Sequence, residues 1–292
     1  MNSKFNKGLL LTSLGSFWWG FIGVIYFEYV AFIGHVELVV HRCLWTAVML
    51  ILTTTFLSKW SIFLKEISNK KKLLALLISG FLIFVNWSIW IYAVATERII
   101  DASFGYFIMP IISVLLGYIF FKEELNKKRI YSILLVLISI FILIIFNLKS
   151  LPWVGLIVAF SWAFYNLVRK KINIDTDIGL LIESLYIFPF AFFVFYLISK
   201  TGLNDFDIHN PGLSLFLILA GPMTVIPLFL YVRGVELIGL GPTGMIFYIT
   251  PTLQFILGYF YYGEDFSLVK FGSFIIIWIA VIIYINDLYE KN

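Results

Sequence analysis

Long apolar runs separated by short polar stretches dominate this chain. Ten of them read as membrane spans, at 8–30, 36–57, 73–95, 102–121, 130–147, 153–168, 178–198, 213–232, 243–262 and 269–286. Each approaches the roughly 20 residues a helix needs to cross the hydrocarbon of a bilayer. The runs are uniformly apolar and do not alternate, which predicts helices and argues against a porin-like barrel. Helices also satisfy their own backbone amides, as lipid requires. The first run, Gly8 to Val30, is too long for the apolar part of a cleavable leader and lacks a small-residue cleavage site, so it reads as a span.

Composition agrees with the pattern. Hydrophobic residues make up 61% of the chain and charged residues 13%, against about 25% charged in a soluble domain. Mean hydropathy is +0.98. A water-soluble fold could not hide this much apolar surface, so the expected surroundings are a lipid bilayer. The net charge of +4 does not point to nucleic acid, because the cations lie in short clusters between the apolar runs. With the N-terminus placed in the cytoplasm, sixteen of the 21 Lys and Arg residues fall on the inner side and four on the outer, while Arg42 lies within the second span. That bias predicts both termini inside. The single cysteine, Cys43, excludes an internal disulfide and a cysteine-rich metal site.

A shift of 141 residues overlays the second half on the first. Pro110-x6-Gly117-Tyr118-x4-Glu123-Glu124 meets Pro251-x6-Gly258-Tyr259-x4-Glu264-Asp265, and Gly80, Ile108 and Leu116 meet Gly221, Ile249 and Leu257. The expected organisation is two five-helix repeats, 1–147 and 148–292. Because five is odd, the two insert with opposite orientations, as in secondary transporters. The predicted fold class is therefore an all-α integral membrane protein of ten transmembrane helices, built as two inverted-topology repeats.

The chain resembles the RarD proteins, a branch of the EamA group in the drug/metabolite transporter superfamily. The resemblance rests on Trp19-Gly20, Glu37-x3-His41-Arg42-x2-Trp45, Asn86-Trp87, the stretch Ala102 to Pro110, Pro152-Trp153, Tyr165-x2-Val168-Arg169-Lys170-Lys171, Glu183, Thr224-x2-Pro227-Leu228 and Tyr248-Ile249-x-Pro251-Thr252. It implies ten helices, a bacterial inner membrane and transport. The chain departs from the family pattern at Glu28, where a basic residue is usual, and at Phe247, where glutamine is usual.

Ionisable residues inside spans cost roughly 2.5–3.5 kcal/mol on insertion scales, so each needs an account. The repeat aligns Arg42 with Glu183 and Glu28 with Arg169. Two symmetry-related pairs of reversed sign are expected, Glu28–Arg42 and Arg169–Glu183. They either clamp adjacent helices or gate the two faces and bind a charged substrate. Glu37 and His41 share a helical face; they form either a local hydrogen bond or a proton-coupling pair. Pro110, Pro227 and Pro251 each remove an amide and free a carbonyl one turn earlier. Such helix breaks either serve packing or open a cavity.

Aromatic residues are abundant, at 19%. Trp19, Trp87, Trp90, Tyr106, Trp162, Tyr165, Tyr231 and Tyr248, with Asn86 and Asn166, are the candidate substrate-binding set, on the spans that line the cavity in the resembled fold. Aromatic walls suit amphipathic, aromatic or cationic ligands. Gly239-x-Gly241-x-x-Gly244 matches a dinucleotide fingerprint, but it follows a span and contains Pro242, so it is discarded. No cofactor, metal site or catalytic residue is expected. The leading expectation is secondary transport of a small organic metabolite or amphipathic solute by a monomer or homodimer. A non-transporting membrane subunit or sensor, or an intramembrane enzyme, is the alternative.

Overall fold

The computed structural model describes residues 3–95, 99–147, 153–172, 174–202, 204–261 and 268–291, and all regular structure among them is helical. Helix α1 (Ser3–Phe17) runs through a π-turn (Trp18–Ile22) into α2 (Gly23–Tyr29). There follow α3 (His35–Phe56), α4 (Trp60–Ile67), α5 (Lys70–Ala95), α6 (Ile99–Phe121), α7 (Lys127–Asn147), α8 (Trp153–Lys171), α9 (Thr176–Thr201) and α10 (Pro211–Ile238). The last elements are α11 (Leu240–Ile246), α12 (Ile249–Phe260) and α13 (Leu268–Lys291). By length and composition seven helices among the described residues can cross a membrane: Ser3–Tyr29, His35–Phe56, Lys70–Ala93, Lys127–Phe146, Thr176–Thr201, Pro211–Ile238 and Leu268–Glu290; Gly105–Phe121 is a shorter apolar one. Large apolar side chains such as Phe56, Leu74, Phe141 and Phe260 lie exposed around the bundle, a surface that needs lipid against it.

Three local features depart from a row of straight spans. The first run is interrupted at Trp18–Ile22 by a π-turn, which inserts one extra residue into the helical register. The run 243–262 is broken after Ile246 and restarts at Ile249. Pro251 has no amide for the carbonyl four residues before it, that of Phe247. The polar stretch after α3 holds the short helix α4, which was not expected. Its Ile62, Phe63 and Ile67 pack on a cluster of Leu76, Ile172, Ile174, Ile178 and Ile182, while Trp60 is tethered by its indole N–H to Thr55 Oγ1 at 3.0 Å.

The starts of α3 and α9, α5 and α10, α6 and α11, and α7 and α13 each differ by 141 positions. Packing follows the same exchange. Helix α1 lies against α10 as α8 lies against α5, while α3 pairs with α9, α6 with α11 and α7 with α13. Close approach depends on small residues. A Cβ on Gly105 of α6 would collide with the backbone of Gly155 of α8. Gly20, in the π-turn, has room for a Cβ only 2.8 Å from the Thr250 carbonyl. The Thr250 hydroxyl donates to the Ser16 carbonyl at 2.9 Å, so the π-turn and the α11–α12 break are fastened to each other. Glu264 and Asp265 of the repeated motif lie outside the described residues.

Candidate functional site

At the centre of the bundle, side chains from five helical segments form an aromatic core. Trp19 comes from the π-turn, Tyr106 from α6, Trp162 and Tyr165 from α8, Tyr231 from α10 and Phe247 from the break. Trp162 meets Trp19 edge-on at 5.1 Å and contacts Tyr165 and Tyr231 at 5.5 Å each. Phe247 lies 5.5 Å from Tyr231 and 5.7 Å from Tyr106. Five of the residues expected from the sequence thus come together. The sixth ring, Phe247, stands out in the sequence only as a departure from the family pattern. Tyr248 belongs to another cluster, with Val114, Ile140 and Tyr284, and its phenol donates to the Phe107 carbonyl at 2.8 Å. It ties the break to α6 near Pro110.

The other expected polar residues are largely committed. The Asn86 amide donates to the Val158 carbonyl (2.9 Å) and to Ser161 Oγ (3.1 Å), joining α5 to α8. Asn166 donates to the Trp162 carbonyl at 2.9 Å, and its buried Oδ1 has no partner among the described residues. Trp90 packs edge-on against Phe27 at 5.6 Å. Helices α6 and α10 stay continuous through Pro110 and Pro227. At Pro251 the Phe247 carbonyl accepts the Thr250 amide at 2.9 Å. The carbonyl expected to be free is therefore occupied, because the break tightens into a three-residue turn that supplies another amide.

One expected ion pair forms. Arg169 Nε lies 3.7 Å from Glu183 Oε1, with both side chains buried. Glu183 also accepts hydrogen bonds from Ser79 Oγ and, at 3.2 Å, from the Tyr165 hydroxyl. Arg169 Nη2 donates to the Thr176 carbonyl at 3.1 Å and lies 4.0 Å from Glu236. Glu236 accepts from Thr176 Oγ1 and from Arg233 Nη1 at 2.7 Å. A Cβ on Gly179 would occupy the space of the Arg169 guanidinium, so that glycine makes the room in which the cation lies.

The other expected pair is not formed. Glu28 is exposed, whereas Arg42 is 6% exposed. The physical reason is that the first helix and α8 present different faces to the bundle: Leu14 and Phe17 are exposed where the aligned Gly155 and Val158 are buried. The π-turn at Trp18–Ile22, which α8 lacks, adds to the difference, and Arg169 faces inward. Arg42 instead donates from Nε to Thr224 Oγ1 at 3.0 Å and stacks on Trp87 (4.6 Å) and Phe27 (5.1 Å).

Glu37 and His41 are brought together, with Nε2 at 3.4 Å from Oε1 and both buried. The Trp45 indole donates to His41 Nδ1 at 3.1 Å, which leaves Nε2 to carry the proton of a neutral ring. Glu37 Oε1 also accepts the amides of Asp205 (2.9 Å) and Phe206 (3.2 Å), fastening the segment before α10.

Glu123 carries a structural task that composition could not reveal. Its two oxygens accept the amides of Leu240 and Gly241, each at 2.8 Å, and Lys170 approaches to 3.1 Å. A carboxylate thus caps the start of α11 and draws α6, α8 and α11 together. The one signal pointing to it is its place in the repeated Gly-Tyr-x4-Glu motif. A cleft of 220 Å³ opens between α3, α5 and α9, lined by Val39, Val40, Cys43, Phe84 and Phe190. A void of 10 Å³ lies between Thr46, Trp87 and Glu183.

Residues 6–145 and 150–286 each match the EamA-like transporter family. The chain is 32% identical over 281 residues to the protein RarD of Escherichia coli (strain K12), covering 96% of this chain and 94% of that protein. It is 32% identical over 286 residues to the uncharacterized transporter YojE of Bacillus subtilis (strain 168), with 97% and 95% covered. To an uncharacterized transporter of Vibrio cholerae it is 33% identical over 282 residues, with 96% and 92% covered. A solved crystal structure shares the fold, with a TM-score of 0.72, 11% identity, and 95% of this chain and 96% of the other covered.

Proposed function

The chain belongs to the EamA-like transporter family and is a multi-pass membrane protein, and from that premise we propose that it is a secondary transporter of a small organic metabolite or amphipathic solute. It works by alternating access across a bacterial inner membrane, as a monomer or homodimer. Its ten spans form two inverted five-helix repeats, 1–147 and 148–292, with both termini cytoplasmic. The observation that carries this reading is the exchange of packing partners under the 141-residue shift, centred on the aromatic core. Two similar bundles that meet at one site can trade conformations around it. The two copies of the proline motif already differ, since α6 is continuous through Pro110 while the helix of Pro251 is broken. Trading those states would move the opening from one end of the bundle to the other.

The charge bias supports the orientation. At the lysine-rich end Glu123 pairs with Lys170, Arg169 with Glu183 and Glu236, and Lys59, whose ammonium lies 2.7 Å from Asp177, joins α9; in this reading these pairs close that face. Burial lowers the Lys59 pKa, but the hydrogen bond and charge of Asp177, with Asp175, outweigh it and raise the value overall. Uptake of labelled solutes by liposomes holding the purified chain tests transport, and absence of uptake in either direction for every solute that stabilises the protein would sink it. Topology is separately testable. With Cys43 replaced by serine, the chain has no other cysteine. Single cysteines at Lys65 and Asp205 are expected to react with an impermeant thiol reagent from opposite sides of the membrane.

A further inference from the structure

Arg42 is a buried cation without a counter-ion. It lies within α3, and no carboxylate among the described residues pairs with it. Its one hydrogen bond among the described residues is from Nε to Thr224 Oγ1. A guanidinium carries five N–H donors, so the four on its two terminal nitrogens have no acceptor among the described residues. The contacts with Trp87 and Phe27 stabilise a cation but accept none of those hydrogens in the way a carboxylate does. Arg169 shows what the fold does when it means to neutralise such a group, surrounding it with Glu183 and Glu236. The repeat offers Glu28 as the matching counter-ion for Arg42, but Glu28 is exposed and makes no pair with it. A charge held in a low-dielectric interior needs a partner, and none of the described residues provides one.

We infer that Arg42 anchors the anionic group of the transported solute, which is a small organic anion of carboxylate type with an aromatic or apolar body. The guanidinium fork matches a carboxylate in two parallel hydrogen bonds. The body has a path to follow. Trp87, on which Arg42 stacks, belongs to the same apolar cluster as Trp162, Tyr231 and Phe247, with Trp19 and Tyr106 packed against it. An anion at Arg42 would therefore lay its apolar part towards Phe247 and Trp19. Thr46, one turn beyond Arg42, has a buried hydroxyl without a partner among the described residues and lines the 10 Å³ void beside Trp87. That void is too small for a solute, so the site is closed as described and widens only when the helices move. This inference rests on the transport reading for its word "transported"; the anion site itself does not.

The test is thermal unfolding of the purified full chain in detergent, read by tryptophan fluorescence. The probes are phenylacetate, 3-phenylpropionate and octanoate, with phenylacetamide and phenethylamine as the neutral and cationic counterparts of the first. At least one carboxylate should raise the midpoint by about 3 °C at ten times its Kd, with no shift from the amide or the amine. Arg42→Met should abolish the shift, and Arg42→Lys should weaken affinity at least tenfold, because lysine keeps the charge and loses the fork. If Arg42→Met does not fold, Arg42→Lys decides, and unchanged affinity there overturns the inference. It is also overturned if the amide stabilises as well as the acid, if the shift survives in Arg42→Met, or if none of the three carboxylates acts. Nanodiscs of phosphatidylglycerol and of phosphatidylcholine separate a lipid headgroup from a free solute. Arg42-dependent stabilisation by phosphatidylglycerol, with none by the carboxylates, would overturn the solute assignment. Failure of the two readings is distinguishable in liposomes. Carboxylate binding without movement sinks transport alone, and transport indifferent to Arg42→Met sinks the anion site alone.

Discussion

Replacing Glu183 with glutamine removes one of the two carboxylates that face Arg169. The guanidinium is 3.7 Å from Glu183 and 4.0 Å from Glu236, and its Nε and Nη1 have no hydrogen-bond acceptor among the described residues. At an effective dielectric near 20, each carboxylate at such a distance attracts it by about 4 kcal/mol. Glutamine gives that up but recovers the cost of burying the carboxylate, and Ser79 and Tyr165 can still bond an amide oxygen. Breaking a buried pair from one side costs about 3–5 kcal/mol. Because Glu236 remains, the lower end applies, about 3 kcal/mol. In a chain of this size that corresponds to a fall of about 6–12 °C in the unfolding midpoint. Cys43 is the only cysteine and is buried, so a thiol-reactive dye in detergent reports unfolding without any added probe. The double variant Glu183→Leu with Arg169→Met removes both charges at once and should recover most of the loss, since Glu236 keeps Arg233 at 2.7 Å. The reasoning is refuted if Glu183→Gln unfolds within 1 °C of the parent, or if the double variant is no better than the single one.

Three further outcomes follow from the same geometry. Glu123→Gln, which leaves one oxygen for two helix-start amides and loses the charge facing Lys170, should cost about 1–2 kcal/mol. Faster amide exchange at Leu240 and Gly241 would localise the effect. Gly20→Ala places a Cβ 2.8 Å from the Thr250 carbonyl and should destabilise by about 1–3 kcal/mol, whereas Gly212→Ala, whose nearest neighbour would be 3.9 Å away, should be neutral in the same melt. Glu37→Gln should leave solute uptake as responsive to an imposed pH gradient as the parent, because Glu37 Oε1 is already engaged by the Asp205 and Phe206 amides. Loss of that response would restore Glu37 and His41 as a proton-coupling pair.

Much of this protein was decided by composition and period, because lipid imposes one rule on the whole chain. Uniform apolar runs must be helices, and their positions follow from hydropathy without reference to any contact. The shift of 141 was legible because it is a relation within the chain, and the starts of α3 and α9 follow it to the residue. The aromatic core was legible as a set of residue types, since rings near polar neighbours at helical depth have few other uses. What only the tertiary structure decided is rotation about the helix axes and the identity of partners. Glu28 and Arg169 are equivalent in sequence, yet one faces outward and the other Glu183, because the first helix and α8 turn different faces to the bundle, as exposed Leu14 and Phe17 against buried Gly155 and Val158 show. Likewise Phe247 entered the aromatic core and Tyr248 left it, since the break at Pro251 sets which of two neighbours points inward. Hydropathy is blind to such choices, because a rotation of about 100° leaves every residue at the same depth in the membrane while changing everything it touches. The sequence marked Arg42 as a charge needing an explanation, and the fold places no counter-ion beside it among the described residues.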